Sequence, residues 1–181
     1  MLKKILISAA TLLLSTNLFA QSSFEIPVGY TNITELGFNK AAFDHSKTYS
    51  FSLHTINGML FNQHFFAGIG VGYERGEGGG NNLPVFADAR YFFGENKIKP
   101  FVNQNIGYMF HIFAQEYVET FDTKGMYSAN TSVGLAIPVK FAQSLNFSLG
   151  YRLMYLNKIK FTFEERSFTY HLMTLKAGLT F

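Results

Sequence analysis

Six charged residues are the strongest candidates for joint chemistry in this sequence: Glu25, Glu74, Asp88, Arg90, Arg152 and Lys176. Carboxylate, guanidinium and ammonium groups that share a confined interior must pair with one another, because little water is left to solvate them. If the elements that carry these residues turn them to one side, we expect a salt-bridged group centred on Asp88 with Arg90 and Arg152. Such a group would fill an interior and fix the register of the elements rather than act as a gate.

The histidines and glycines offer weaker signals. The five histidines are His45, His54, His64, His111 and His171, and none shows metal-ligand spacing. The run from Gly68 to Gly72 alternates glycine with Ile69 and Val71, but a dinucleotide-binding loop needs a helix after it, and here the glycines continue within one extended segment. We therefore expect these glycines to make room for a bulky side chain or a neighbouring strand. No metal and no cofactor is predicted.

The elements that must position these residues are β-strands, because apolar and small or polar side chains alternate with period two along most of the chain. In the last strand, Met173 and Leu175 lie on the apolar side, whereas Thr174 and Lys176 lie on the other. The pattern predicts eight strands, at 24–31, 48–57, 64–75, 83–93, 100–113, 126–137, 144–158 and 173–181. On these faces Asp88, Arg90, Arg152 and Lys176 all point inward near mid-height.

Turn-forming residues separate the strands. The loops predicted at 35–47, 76–82, 116–124 and 159–167 fall at one end of the sheet, and those at 58–63, 94–99 and 138–143 fall at the other. Asn57-Gly58 is read as part of a turn because both residues favour turn conformations. The first group of loops is longer and more charged, as expected for external loops.

The character of the polar face decides between two kinds of barrel. A soluble, lipocalin-like barrel keeps its apolar face inside and a highly charged face in water. Here the polar face carries mainly Gly, Ser, Asn and Thr, and the whole chain is only 15% charged. Phe and Tyr cluster near the strand ends of the apolar face, as in the aromatic girdles of membrane barrels. The pattern predicts an all-β, eight-stranded antiparallel up-and-down transmembrane barrel.

The N-terminal stretch is typical of a secretory signal peptide. Lys3 and Lys4 precede an apolar run, and Ala20 provides a small residue at an approximate cleavage site. We therefore expect a signal peptide at 1–20 and the barrel domain at 21–181. Without residues 1–20 the formal net charge of +3 falls to +1 (13 basic against 12 acidic residues), which argues against a nucleic-acid partner. With no cysteine, disulfide-stabilised exported domains are excluded.

Several segments also resemble a known family. They are the run Leu83–Phe93, then Lys99-Pro100-Phe101, Gly107-Tyr108, Ile56-Asn57-Gly58 and Phe65–Gly72. Together they resemble the outer-membrane β-barrel (porin-like) proteins of Bacteroidetes. The resemblance implies a small OmpA/OmpX-like barrel in the outer membrane of a Gram-negative bacterium, with membrane lipid and the barrel-assembly machinery as partners. It also implies that Phe181, a terminal aromatic residue on an alternating strand, acts as an assembly signal.

The function predicted from the sequence is a structural or surface-interaction role, with the lumen filled by the polar group. A narrow porin-like solute channel is the main alternative, and a soluble ligand-binding barrel a further one. Some barrels of this size are enzymes acting on lipid A, but the sequence lacks a local His-x-Ser-Asn motif, so no enzyme and no catalytic residue is predicted. We expect a monomer whose external loops contact partners that the sequence does not identify.

Overall fold

The computed structural model describes residues 28–42, 49–77, 80–113, 125–161 and 164–181, and these form a closed barrel of eight strands. Every strand pairs antiparallel with the next, and β1 closes the sheet against β8. The strands are β1 Gly29–Ala41, β2 Tyr49–Phe61, β3 Phe65–Gly76, β4 Asn81–Phe92, β5 Lys99–Phe113, β6 Met126–Val139, β7 Ala142–Phe161 and β8 Glu164–Thr180. Within these described ranges, no helix is long and apolar enough to cross a membrane.

The register of the strands defines the shape of the barrel. A path that steps from each strand to the paired residue on the next begins at Tyr30 and returns to β1 at Lys40, ten residues further along. It passes through Met59, Ala67, Ala89, Gln104, Thr131, Tyr151 and Met173. With a rise of about 3.3 Å per residue and about 4.8 Å between strands, this offset tilts the strands by about 40° from the barrel axis. A row of paired residues therefore climbs as it goes round.

The predicted faces of the strands are confirmed. On β8, Thr174 and Lys176 are buried, whereas Met173 and Leu175 are exposed. The same alternation holds on the strands that carry Asp88, Asn103, Asn130 and Arg152, all of which are buried. A slip of one residue would turn every side chain of a strand to the other face, so the closed register fixes which residues share the interior.

The first strand differs from its prediction. β1 at Gly29–Ala41 continues past the end of the strand expected at 24–31 and includes residues 35–41 of the loop expected at 35–47. Residues 24–27 and 43–47 lie outside the described part of the chain. Outward-facing Asn32 and Thr34 are polar, whereas inward-facing Ile33 is apolar, so the two faces of β1 lack the contrast on which the prediction depended. As a result, Glu35 lies in a strand and not in a loop.

The expected turn at Asn57-Gly58 is also wrong, since both residues lie inside β2. The chain turns instead at Asn62 and Gln63, which have φ of 50° and 58°. Gly58 serves close approach between strands, because a Cβ there would collide with the backbone of Ala67 on β3. The loop expected at 159–167 is wrong as well, because β7 continues to Phe161 and β8 begins at Glu164.

We call the rim with the short β2–β3, β4–β5 and β6–β7 connections and Phe181 the turn end, and the opposite rim the loop end. Between them the outer wall carries an apolar belt, in which Leu36, Ile69, Ile106 and Val133 are each more than 60% exposed. Exposed aromatic residues ring the turn end: Tyr30, Phe61, Phe65, Tyr91, Phe93 and Phe181. A second ring lies towards the loop end: Tyr49, Phe51, Tyr73, Phe110, Tyr127, Tyr155 and Tyr170. From the rise and tilt of the strands, the two rings are about 25 Å apart along the axis.

Candidate functional site

The interior of the barrel is built in three layers. At the turn end an apolar layer fills the lumen with Ile33, Ile56, Leu60, Phe66, Phe92, Phe101 and Ala136, and Phe86 extends it upward. At the loop end a second apolar cluster contains Met109, Met126, Met154, Leu156 and Leu172. The polar and charged side chains that face inward lie mainly between these clusters. Apolar side chains therefore enclose the charged middle layer at the turn end, at the loop end and, through the apolar belt, on the outside.

Arg90 is the centre of the ion pairs in the half of the middle layer nearer the turn end. Its Nε and Nη2 donate to the two carboxylate oxygens of Asp88 at 2.9 and 3.1 Å, and its Nη1 lies 2.7 Å from Glu35. All three residues are no more than 2% exposed. Lys176 approaches the second oxygen of Glu35 at 3.5 Å, and the Arg90 guanidinium lies over the ring of Phe101 at 5.7 Å. Two cations and two carboxylates are therefore grouped at one level of the lumen, with no formal charge left over.

Amide and hydroxyl side chains extend this group across neighbouring strands. Asp88 accepts hydrogen bonds from the side-chain amides of Asn103, at 2.9 Å, and Asn105. Asn130 donates to Asn105 at 3.1 Å, and Thr174 donates to Asn130 at 3.1 Å. Hydrogen bonds thus connect β4 through β5 and β6 to β8, and the buried carboxylate of Asp88 accepts from both β4 and β5.

A second ion pair lies nearer the loop end. The Nη1 of Arg152 lies 2.7 Å from Glu74, and its Nε donates to Ser128 at 2.8 Å. Ser50 donates to Glu74 at 2.6 Å, and Asn39 donates to Ser50 at 3.0 Å. The pair joins β7 to β3 through the lumen, so it ties together strands that share no backbone ladder.

The grouping expected around Asp88 is therefore only partly reproduced. Asp88 and Arg90 come together, and Lys176 joins them through Glu35, but Arg152 pairs with Glu74 and not with Asp88. Asp88 and Arg152 do lie in one row of paired residues, through Asn105 and Asn130. Because the strands tilt, three steps along that row climb about 9 Å, which carries Arg152 to the level of Glu74.

Sequence reasoning missed Glu35 and cannot be assessed at Glu25. Glu25 lies outside the described residues, whereas Glu35 supplies the second carboxylate of the Arg90 group. The sequence does contain a signal for Glu35. This residue is separated by an even number of positions from the inward-facing Thr31, Ile33 and Asn39, so it lies on the same face of the strand. Phe181, the predicted assembly signal, is exposed, and its backbone pairs with Asn32 at 2.8 and 3.0 Å.

The remaining space in the middle layer is small. A cavity of about 30 Å³ is lined by residues that include His54, Asn105, Asn130, Arg152 and Lys176. That volume suits one or two water molecules and excludes an organic solute. The His54 ring packs edge-on against Phe86 at 5.1 Å, and within the described part of the chain neither of its ring nitrogens has a hydrogen-bond partner.

The other candidate groups do not converge. His64 contacts the Phe92 carbonyl near the turn end, His171 contacts Tyr151 on the outer wall, and His45 lies outside the described residues. Among the residues that the structure describes, no three His, Asp or Glu side chains are placed to hold a metal ion. In the glycine run, a Cβ on Gly70 would overlap the Phe86 ring, so the predicted packing role of these glycines is confirmed there.

Comparison with known proteins supports the architecture. No protein-family model and no curated protein sequence matches this chain. Neisserial surface protein A is similar in structure, with 15% identity, 84% of this chain and 96% of that chain covered, and a TM-score of 0.62. The outer membrane enzyme PagL is 14% identical, with 81% and 98% covered and a TM-score of 0.55. At these identities the likeness shows the fold, a closed eight-stranded barrel of the outer-membrane type, and the family in Bacteroidetes stays a prediction.

Proposed function

We propose that this chain is a small outer-membrane barrel with a structural or surface-interaction role, whose polar interior fixes the strands and blocks the lumen. The observation that carries the proposal is the charged middle layer enclosed by two apolar clusters. Arg90 pairs with Asp88 on its own strand and with Glu35 on β1, three strands away, and Arg152 on β7 reaches across to Glu74 on β3. A buried ion pair acts as a specific crosslink, because removing one partner leaves an uncompensated charge.

The outer wall supports placement in the outer membrane. Its apolar belt and two aromatic rings match the band of about 25 Å, flanked by girdles, that membrane barrels present to lipid. A soluble barrel would expose this belt to water around its whole circumference, far beyond the apolar patches that soluble monomers show. The same observation disfavours the lipocalin-like alternative, in which the inner face would be the apolar one.

A surface role is supported by the hairpin of β7 and β8. β8 pairs with β1 up to Leu172, and β7 pairs with β6 up to Leu156, but β7 and β8 continue to pair with each other up to Phe161 and Glu164. The hairpin therefore projects from the loop end by about 12 Å, given the rise and tilt of its strands. With the loop end facing outward, it would be the part of the described chain that reaches furthest from the membrane.

A solute channel is the alternative that an experiment must separate. It needs a continuous water path, whereas the lumen is filled by side chains and holds a cavity of about 30 Å³. We expect the folded barrel to show no steady open conductance in planar lipid bilayers. Heat-modifiable gel migration of the same sample provides the control that the protein is folded. A steady open channel from folded protein would overturn the proposal in favour of a porin-like role.

A further inference from the structure

Five outward-facing residues of β1 and β2 form a polar patch on the wall that faces lipid: Tyr30, Asn32, Thr34, Thr55 and Asn57. We call this the β1–β2 patch. Asn32 donates to Asn57 at 2.9 Å and to Thr55 at 3.1 Å, and Thr34 donates to Asn32 at 3.2 Å. Tyr30 donates its hydroxyl to Asn57 at 2.6 Å. The patch is therefore an ordered surface and not a scatter of polar side chains.

The β1–β2 patch lies inside the apolar belt. From the register and tilt, Asn32, Asn57, Thr34 and Thr55 lie about 5–13 Å above the aromatic ring of the turn end. Their neighbours on the wall include Leu36 and Ile69, which are 65% and 66% exposed. Polar side chains at this depth face hydrocarbon, where hydrogen bonds cannot be made to water.

Asn57 has a side-chain hydrogen-bond donor that is not used within the described residues. Its side-chain oxygen accepts from both Tyr30 and Asn32, but its own amide nitrogen donates to no residue in the described part of the chain. An amide donor in a hydrocarbon environment is costly unless it is hydrogen-bonded. Polar groups of this kind on membrane-embedded surfaces commonly hold protein to protein.

The matching position on the opposite wall differs. Gln104 on β5, four strands away, faces lipid beside Thr131, but its amide nitrogen donates to the Asn105 carbonyl at 3.3 Å. Its oxygen accepts from the Thr131 hydroxyl at 2.5 Å. Both functions of that amide are satisfied within the barrel, so this pair provides a natural control.

We infer that the β1–β2 patch is the contact through which two copies of this chain associate side by side in the membrane. A carboxamide is both donor and acceptor, so a two-fold axis parallel to the barrel axis can oppose Asn57 to the oxygen-bearing groups of the same patch on a second copy. Such an axis keeps both copies at the same depth and in the same orientation. The patch carries no formal charge, so no like charges meet, and outward-facing Ala67 and Ala177 on either side allow the walls to approach closely. This contact departs from the monomer that the sequence predicts.

The experiment uses the absence of cysteine from the chain. Met59→Cys places one thiol on the outer wall beside the patch, and Val133→Cys places one on β6, far from it. Each variant is reconstituted in phosphatidylcholine liposomes at high dilution and oxidised. We expect a disulfide-linked dimer from Met59→Cys and little from Val133→Cys.

A second substitution then tests the amide itself. Asn57→Leu in the Met59→Cys background should lower the association constant about three- to thirtyfold, the range of hydrogen bonds between membrane-embedded segments, whereas Gln104→Leu should leave it unchanged. Equal crosslinking from the two cysteine positions, or no effect of Asn57→Leu, would overturn the dimer.

The inference rests on the proposed placement in a membrane, so flotation with liposomes and heat-modifiable migration are scored first. A folded protein that does not float contradicts the proposed function and the dimer with it. A folded protein that floats but stays monomeric contradicts the dimer alone.

Discussion

At the scale of single residues, each charge in the two groups centred on Arg90 and Arg152 has an opposite charge within 3.5 Å. Taking such charges out of water is expensive, and the pairing compensates for it only when further hydrogen bonds complete the geometry. Asn103 and Asn105 do this for Asp88, and Ser50 does it for Glu74. The interior polar residues are therefore mutually dependent, and single replacements should report on specific partners.

The pairing of Arg152 with Glu74 predicts a large coupling energy between these two positions. In a double-mutant cycle with Arg152→Met and Glu74→Gln, we compare the losses in the free energy of unfolding. We expect the loss in the double variant to be smaller than the sum of the two single losses by about 1–3 kcal/mol. Removing both partners together leaves no charge unpaired, which is why the losses do not add. The measurement is equilibrium unfolding by urea in lipid vesicles.

The matched control is a second double-mutant cycle, in which Arg152→Met is combined with Asp88→Asn. Asp88 and Arg152 belong to different ion pairs, so their losses should add to within about 0.5 kcal/mol. A coupling between Asp88 and Arg152 as large as that between Glu74 and Arg152 would contradict the two-group arrangement.

At the scale of elements, the faces of most strands follow from the sequence because period-two alternation survives closure of the barrel. β8 and the residue after it illustrate this, since alternate residues from Met173 to Phe181 all keep their predicted sides. β1 could not be predicted because Asn32 and Thr34 place polar groups outside while Ile33 places an apolar group inside. The pairing of Arg152 with Glu74 could not be predicted either, because it depends on the shear of the whole barrel. That offset cannot be read from the sequence of any single strand.

The paired strands β3 and β4 show how close packing constrains the elements. Gly70 lies opposite Phe86, whose ring occupies the space that a side chain at 70 would need. We expect Gly70→Ala to destabilise the barrel by about 1–3 kcal/mol through overpacking. Combining it with Phe86→Leu should cost less than the sum of the two changes, because the smaller side chain vacates that space. Unfolding in vesicles measures both.

Gly76 at the end of β3 is the control for this prediction. Among the residues that the structure describes, a Cβ there meets only the Gly80 carbonyl, at 3.8 Å. Gly76→Ala should therefore change the free energy of unfolding by no more than about 0.5 kcal/mol. If Gly70→Ala is as well tolerated as Gly76→Ala, the packing of Phe86 against β3 does not restrict position 70 to glycine, and the prediction is wrong.

At the scale of the whole molecule, the distribution of polarity is inverted relative to a soluble barrel. Charges concentrate at the centre, between apolar clusters at both ends of the lumen, and the outer wall is apolar between two aromatic rings. The hydrophobic effect cannot drive this wall together in lipid, so the fold depends on its closed backbone ladder and on interior polar contacts. The proposed structural role and the proposed closed lumen both depend on those interior contacts.

Two isoleucines on the outer face of β5 test this inversion directly. Ile106 lies within the apolar belt and is 62% exposed, and Ile112, six residues further along the same strand, lies beyond the loop-end ring and is 40% exposed. Ile106→Arg should cost about 2–4 kcal/mol in a bilayer, because it places a charge near the middle of the hydrocarbon, whereas Ile112→Arg should cost about 0–1 kcal/mol at the interface. Urea unfolding in phospholipid vesicles measures both. In a water-soluble barrel the same two replacements would lie on a solvated surface and differ little, so equal costs at the two positions would contradict the membrane placement.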